Sequence, residues 1–297
     1  MVTYRGPSIN WCFYDTNPDN LRTVLKKWEG ELPWLKAMKT KCGWNTVRLC
    51  IASPDTNAAQ YYGFDQTDLD AIINLLGVNG FKINIDLHNW KGNQQPNPYG
   101  SQYWFDFWIK MSDKYIDNKY VVIYEPMNEP DFYSGIDLTP DMIGTPDGVQ
   151  GSYGWLISKL RERGDNKLVL LPDPWYWQTG VNGYGYGDPQ GWMNNQQILQ
   201  YRTDVLLNTH NYFNPNDMNS INFDKNRLLG WKAVGKIISG EWGFVDYSSA
   251  DAFTYAKNWY KFLKSNYVGY FFWMSGYPSE YELAKDKWNI IVGYEKL

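Results

Sequence analysis

The sequence predicts an α/β protein that forms a single (β/α)8 barrel, the TIM barrel fold. Two observations support this fold class: eight short apolar runs rich in β-formers recur along the 297 residues, and helical patterns separate most of them. Strands that alternate with helices form parallel sheets, and eight of them indicate a closed barrel. Because such a barrel takes about 250 residues, one domain over residues 1–297 accounts for the chain.

The predicted strands are residues 8–13, 47–52, 82–88, 121–124, 167–171, 205–207, 236–239 and 269–273. The predicted helices are residues 64–76, 103–115, 154–163, 193–201, 222–234 and 251–265. In the first of these helices, Leu69, Ile72, Ile73 and Leu76 follow the spacing of one helical face, and Gly80 ends it. Residues 276–297 give only a faint helical pattern. The alternative fold is a doubly wound open sheet, but no GxGxxG motif follows the first strand.

Charge and cysteine content exclude several classes of partner. The formal net charge of −4 and the lack of a dense basic cluster argue against nucleic acid or an acidic membrane surface. No apolar run reaches the ~18 residues of a membrane span. Cys12, Cys42 and Cys50 form no CxxC motif, so we expect neither a disulfide framework nor a metal site. We also expect no organic cofactor, because no cluster of residues that would hold one is recognisable. We expect a monomer that is secreted, with any signal peptide absent from this chain, and a cytoplasmic location stays open.

Aromatic residues are abundant: 16 Trp, 24 Tyr and 13 Phe make up 18% of the chain. Several Trp residues lie in predicted loops rich in Gly and Asn. Flat aromatic faces beside amide side chains suit a ligand with apolar faces and polar edges, such as a sugar. The alternative is a Trp-rich core with no functional meaning.

Function in such barrels collects at the carboxyl ends of the strands. The residues at those predicted ends are Arg48, His88, Asn128, Glu129, Asp173, His210, Tyr212, Glu241 and Trp273. Both histidines of the chain are among them. Random placement would instead scatter these residue types over helix surfaces.

Glu129 and Glu241 are the candidate catalytic pair. Cleavage of a glycosidic bond needs one carboxyl that protonates the departing oxygen and a second that attacks the anomeric carbon or activates water. Pro130 stops the strand beside Glu129, and small residues flank Glu241 on an apolar strand. A carboxylate on such a strand needs a partner or a function. The structural alternative for either residue is an ion pair inside the barrel with Arg48 or His210.

The Asn128-Glu129-Pro130 motif after the fourth strand, with Glu241 at the end of the seventh, resembles the clan A glycoside hydrolases. The resemblance is closest to family 5, the cellulase family. Segments 45–49, 86–89, 210–212 and 272–273 resemble that family's second-strand arginine, third-strand histidine, sixth-strand His-x-Tyr and eighth-strand tryptophan segments. Together these motifs cover nearly the whole chain in the expected order.

The resemblance implies a retaining mechanism in which Glu241 is the nucleophile and Glu129 is first the acid and then the base. Retention requires the two carboxyls to lie about 5–5.5 Å apart. It also implies a substrate-binding set made of Arg48, His88, Asn89, Asn128, His210, Tyr212 and Trp273. In this set Arg48 and the Tyr212 hydroxyl would hold Glu241, Asn128 would bind the sugar 2-hydroxyl, and Trp273 would support the sugar ring. His88 and His210 would bind the sugar or support Glu129.

Glu125 and Asp86 lie deeper on their strands, and we interpret both as structural. A buried pair with a neighbouring basic group would explain Asp86. Residues 90–95 and the loop that contains Trp175 and Trp177 carry aromatic side chains that could stack successive sugar rings, which favours a polymer or oligosaccharide as substrate.

We therefore predict an endo-acting hydrolase of β-1,4-linked glucan. The alternatives are a β-mannanase or an exo-β-glucanase with the same mechanism, and a non-catalytic carbohydrate-binding barrel. A metal-dependent barrel enzyme is disfavoured, because the two histidines lie on different strands and no HxH motif exists.

Overall fold

The computed structural model describes residues 3–9, 21–52, 66–89, 102–128, 153–171, 205–212, 225–226, 228–229, 232, 237–243, 250–274 and 278–295. The strands are β1 (Arg5–Ile9), β2 (Thr46–Ala52), β3 (Lys82–Asn89), β4 (Val121–Glu125), β5 (Leu168–Leu171), β6 (Val205–Tyr212), β7 (Ile237–Gly243) and β8 (Gly269–Met274). They pair in parallel and in chain order, and β8 pairs with β1 to close the barrel. The predicted (β/α)8 class is confirmed.

The described helices are α1 (Leu21–Cys42), α2 (Gln66–Val78), α3 (Gln102–Tyr115), α4 (Tyr153–Glu162), α5 (Ala250–Ser265) and α6 (Pro278–Val292). In α2 the predicted face of Leu69, Ile72, Ile73 and Leu76 is buried, which confirms the periodicity argument. Gly80 then takes a φ of 84°, a conformation that favours glycine. The predicted helix 193–201 and most of 222–234 lie outside the described residues.

The structure adds two helices to the prediction. Helix α1 contains Pro33 and many charged residues, which obscure its apolar face, yet Trp28, Leu35 and Met38 are fully buried. Helix α6 covers the region where the sequence gives only a faint pattern. Its fully buried Trp288 packs beside β8, so tertiary contacts compensate for a weak local signal.

Strand β6 is longer than predicted. It continues past Leu207 to Tyr212, and the polar side chains of Asn208 and His210 in this added part are buried in the barrel interior. Strand β1 begins earlier than predicted, at Arg5, and residues 10–13 of the predicted strand lie outside the described part.

The barrel interior has two layers. An apolar cluster of Ile123, Leu170, Leu206, Ile238 and Phe271 fills the amino-terminal half. Nearer the carboxyl ends of the strands, the buried side chains are polar. They are Ser8, Arg48, Asn84, Asp86, Glu125, Asn208, His210 and Glu241. The apolar layer is packing, and the polar layer lies directly beneath the mouth where the candidate residues end.

The core between the strands and the helices is strongly aromatic. Among the described residues, seven tryptophans are fully or almost fully buried: Trp28, Trp44, Trp104, Trp108, Trp242, Trp259 and Trp288. Part of the aromatic excess therefore belongs to the core rather than to a ligand site. Among the described helices, none has the length and apolarity of a membrane span.

Candidate active site

The carboxyl ends of the strands bring six predicted site side chains to one mouth of the barrel. They are Arg48 on β2, His88 on β3, Asn128 after β4, His210 on β6, Glu241 on β7 and Trp273 on β8. Glu129, Trp175, Trp177 and the side chains of Asn89 and Tyr212 lie outside the described residues. The positions of those five are therefore not described, and the roles of all the predicted site residues stay predictions.

Arg48 is the centre of the site, and each of its five N–H groups has an acceptor. Its Nε and Nη2 donate to the two carboxylate oxygens of Glu125, at 2.7 and 2.8 Å. Its Nη1 donates to Ser8 Oγ at 2.8 Å and to Glu241 Oε2 at 2.7 Å. Its Nη2 also donates to Asn128 Oδ1, at an N···O distance of 2.8 Å. The guanidinium is thus held in a single orientation.

Arg48 stays protonated although its side chain is fully buried. Burial by itself lowers the pKa of Arg48, but the negative charges of Asp86 and Glu125 outweigh burial and raise the pKa well above its usual value. Arg48 is therefore a permanent cation beneath the mouth, beside the candidate nucleophile Glu241.

Glu125 is fully buried and its carboxylate accepts four hydrogen bonds. Besides the two from Arg48, Asn84 Nδ2 donates to Oε2 at 2.9 Å and Asn208 Nδ2 donates to Oε1 at 2.8 Å. Burial raises the pKa of Glu125, and the attraction of Arg48 opposes that rise. The ion pair with Arg48 agrees with the structural interpretation of Glu125 made from the sequence.

Asp86 joins Arg48 to His88. Its Oδ2 lies 2.9 Å from Arg48 Nη2 and 2.7 Å from His88 Nδ1. Burial by itself raises the pKa of Asp86, but the positive charge of Arg48 and the contact with His88 outweigh burial and lower it. Asp86 therefore has the basic partners expected from the sequence. Because a carboxylate only accepts, it favours the His88 tautomer with its proton on Nδ1.

His88 and Trp273 form a stacked pair at the rim. Their ring centroids are 5.1 Å apart and the planes are inclined by 18°. Both side chains are partly exposed. The pair offers a flat apolar surface with a ring nitrogen at its edge, which suits a sugar ring.

Glu241 is buried between Arg48 and His210. Its Oε2 lies 3.8 Å from His210 Nδ1, in addition to the 2.7 Å contact with Arg48. His210 Nε2 lies 3.0 Å from Asn208 Nδ2, so the histidine is linked to the polar layer below. The ion pair offered as the structural alternative for Glu241 does exist. It is equally what a carboxylate nucleophile at the mouth requires.

Sequence reasoning did not identify Ser8, Asn84 and Asn208, which hold Arg48 and Glu125 in place. A signal for two of them exists: Asn84 stands two residues before Asp86, and Asn208 two residues before His210. Residues two apart on a strand face the same side, so these amides share the interior with the charged residues.

One group of potential metal ligands occurs among the described residues. Single ligand atoms of Cys50, Asp86 and His88 lie within 4.8 Å of one another. However, Arg48 already contacts Asp86 and lies 3.7 Å from Cys50 Sγ, so a metal ion would adjoin a guanidinium. Burial also raises the pKa of the Cys50 thiol well above its usual value, which disfavours the thiolate that binds metals. We assign no metal to this group.

Comparison with known proteins adds independent information. The family model described as cellulase (glycosyl hydrolase family 5) matches residues 12–279. Among curated proteins, a sequence search finds no significant match.

Several solved structures have the same fold. An endo-beta-1,4-glucanase from Xanthomonas axonopodis pv. citri is 18% identical with a TM-score of 0.61, covering 96% of this chain and 99% of that chain. The catalytic domain of an endoglucanase from Thermobifida fusca is 16% identical with a TM-score of 0.56, covering 92% and 79%. A cellulase from an Icelandic hot spring isolate is 18% identical with a TM-score of 0.58, covering 92% and 75%. At these identities, the structural likeness concerns the fold alone.

Proposed function

The chain belongs to glycosyl hydrolase family 5, the cellulase family, and from that premise we propose that it cleaves internal bonds of β-1,4-linked glucan with retention of configuration. Enzymes of this family are glycoside hydrolases that act on β-glycans by a retaining mechanism. The observation that carries the proposal is the 2.7 Å contact between Arg48 Nη1 and Glu241 Oε2 at the barrel mouth.

Glu241 has the surroundings of a carboxylate nucleophile. Such a group has to be ionised and held in one orientation before the substrate arrives. Arg48 supplies a permanent positive charge on one side of the carboxylate, and His210 lies on another. In the first step, Glu241 attacks the anomeric carbon and forms a covalent glycosyl-enzyme as the glycosidic bond breaks.

Glu129 is the proposed acid and base. The preceding residue, Asn128, is anchored by its side-chain bond to Arg48 and by a backbone bond from its N–H to Leu87 O at 3.0 Å. The chain therefore leaves β4 at the rim that Glu241 occupies, which supports a role for the next residue in the same reaction. Glu129 would protonate the leaving oxygen in the first step. It would then take a proton from the water that attacks the anomeric carbon and releases Glu241.

The described part of the mouth also supports a sugar as the substrate. The Oδ1 atom of Asn128 accepts from Arg48, which leaves the amide nitrogen to donate to a hydroxyl of the sugar. The stacked His88–Trp273 pair supplies a flat surface at the same rim. The choice of glucan and of internal bonds follows the family description and the names of the endoglucanases of similar fold.

Hydrolysis assays test the substrate. With carboxymethylcellulose, we expect the viscosity to fall well before reducing ends accumulate, because internal cleavage shortens long chains early. Parallel assays use β-mannan, xylan and short cello-oligosaccharides. Activity restricted to mannan would contradict the glucan assignment, and release of single sugars or cellobiose from chain ends would contradict internal cleavage. Binding without turnover would contradict an enzyme altogether.

Mass spectrometry tests the roles of the two carboxyls. A 2-deoxy-2-fluoro-cellobioside with a good leaving group should leave a sugar covalently attached to the peptide that contains Glu241. Glu241→Gln and Glu129→Gln should each lower kcat/KM on polysaccharide by about 10³-fold or more. The matched control is Glu282→Gln on the exposed surface of α6, which should retain full activity. An adduct on another carboxyl, or products of inverted configuration, would contradict the assignment.

A further inference from the structure

Glu125 takes no part in the proposed reaction, yet its carboxylate is bonded on both oxygens within the polar layer. It is fully buried and accepts four hydrogen bonds, two of them from Arg48. We propose that Glu125 is a positioning residue that holds the Arg48 guanidinium so that its remaining N–H groups meet Glu241 and Asn128 together. The importance of this orientation for catalysis rests on the proposed function.

Glu125 fixes the orientation of the Arg48 guanidinium. A paired contact from Nε and Nη2 to both oxygens of one carboxylate fixes the guanidinium plane as well as its position. With the plane fixed, the directions of the other three N–H groups follow. Two of them reach Glu241 and Asn128, and Ser8 Oγ accepts the third at 2.8 Å.

Two amide side chains keep the Glu125 carboxylate from rotating away from Arg48. Asn84 from β3 binds one of its oxygens, and Asn208 from β6 binds the other. Because these amides come from strands on either side of β4 in the barrel order, each carboxylate oxygen is held by a separate donor besides Arg48. The other charged or titratable groups nearby are Asp86 on β3 and His210 on β6, the latter 4.0 Å from Oε1.

Two other carboxylates, those of Asp86 and Glu241, also contact Arg48. Asp86 Oδ2 lies 2.9 Å from Nη2, and Glu241 Oε2 lies 2.7 Å from Nη1. If Glu125 becomes Gln, one of its two side-chain termini turns into a donor that faces another donor. The paired contact is then lost, and Arg48 is free to turn toward Asp86. Glu241 and Asn128 lose a common, fixed partner.

The test compares two buried carboxylates. Glu125→Gln is matched with Asp165→Asn, because Asp165 is also fully buried and accepts from Ser112 and Tyr124, but precedes β5 at the other end of the barrel. We expect Glu125→Gln to lower kcat/KM by about 100-fold. We also expect the acid limb of its kcat/KM profile to differ from that of wild type, because Arg48 is no longer held in one position beside Glu241. Asp165→Asn should lower Tm and leave the acid limb in place.

A second measurement does not depend on turnover. In ¹⁵N-arginine-labelled protein, the side-chain N–H signals of Arg48, identified by their loss in Arg48→Lys, should be separate and slow to exchange. In Glu125→Gln they should merge or exchange rapidly. If Glu125→Gln does not fold, Asn84→Ala removes one of the two amide supports and should produce the same changes to a smaller degree.

The outcomes separate the inference from the proposed function. Arg48 signals and an acid limb identical to wild type in Glu125→Gln, with only a lower Tm, would overturn the inference and leave the proposed function intact. A wild-type protein that hydrolyses no β-glycan would overturn the proposed function. In that case, loss of the separate Arg48 signals in Glu125→Gln would still establish that Glu125 holds the guanidinium.

Discussion

Gly240, the residue before Glu241, has no room for a side chain. A Cβ atom added there would lie 1.8 Å from Asn208 Oδ1 and 2.8 Å from its Nδ2. Asn208 cannot yield without cost, because its Nδ2 donates to Glu125 and lies 3.0 Å from His210 Nε2. The close approach of β6 and β7 at this point is therefore part of what holds the site together.

Gly240→Ala should disturb the site through Asn208. We expect a loss of stability of about 1–3 kcal/mol from overpacking, and a fall in kcat/KM of about 100-fold from displacement of Glu241. Urea unfolding and initial rates on soluble glucan measure the two effects. The matched control is Gly30→Ala, since a Cβ at this exposed position of α1 meets nothing within 4 Å. A Gly240→Ala protein with wild-type activity would show that Asn208 can move freely.

At the scale of elements, α6 closes the barrel from outside. Its Trp288 is fully buried and packs against Trp44 at 5.1 Å and Phe272 at 4.7 Å between ring centroids. Trp44 precedes β2 and Phe272 lies on β8, so this one side chain spans the seam at which β8, β1 and β2 meet. A helix with a weak sequence pattern thus carries a large share of the aromatic core.

Trp288→Ala should weaken the whole barrel. Removal of a fully buried indole from a packed aromatic cluster leaves a cavity, and we expect a loss of about 3–5 kcal/mol in the free energy of unfolding. Thermal and urea denaturation measure it. Ile290→Ala on the same helix is the control: Ile290 is 59% exposed, so its truncation should change stability by no more than about 0.5 kcal/mol. Equal effects of the two substitutions would contradict the packing role of Trp288.

At the scale of the whole molecule, the barrel interior consists of an apolar layer and a charged layer. The lower layer is apolar, whereas the upper layer contains Arg48 together with the carboxylates of Asp86, Glu125 and Glu241. Burial of so many charges is costly, and mutual hydrogen bonds compensate for the cost. The stability of the barrel should therefore depend on pH.

The lowered pKa of Asp86 fixes the sign of its contribution to stability. Its folded-state pKa lies below the unfolded value of about 3.9. Its stabilising contribution is therefore present above about pH 4 and is lost as the pH falls through the folded-state value. Glu125, whose pKa is raised, acts in the opposite direction, favouring the folded state in acid.

Asp86→Asn isolates that contribution. We expect the variant to be less stable than wild type by about 3 kcal/mol at pH 7, because Arg48 and His88 lose a shared anion. The difference should shrink below about pH 4, and urea unfolding from pH 3 to pH 8 measures it. Asp251→Asn, at an exposed position in the first turn of α5, is the control and should stay within about 0.5 kcal/mol of wild type throughout. A difference that stays constant down to pH 3 would contradict this account.

By itself, the sequence determined the barrel class and the approximate positions of the strands whose carboxyl ends form the mouth. Both are local properties: apolar runs alternate with helical patterns, and a residue at the end of a strand is recognisable from its neighbours. The prediction from strand ends named Arg48, His88, Asn128, His210, Glu241 and Trp273, and all six lie at or directly beneath one mouth of the barrel.

Tertiary structure alone decided how these residues are held. Arg48 contacts three interior carboxylates, and which of its N–H groups meets which carboxylate depends on the register of β2, β3, β4 and β7 around a closed barrel. The supporting amides Asn84 and Asn208 and the two added helices, α1 and α6, are likewise fixed by contacts between residues far apart in the chain. Local patterns carry no information about such pairings, because they arise only when the barrel closes and side chains from different strands compete for the same buried space.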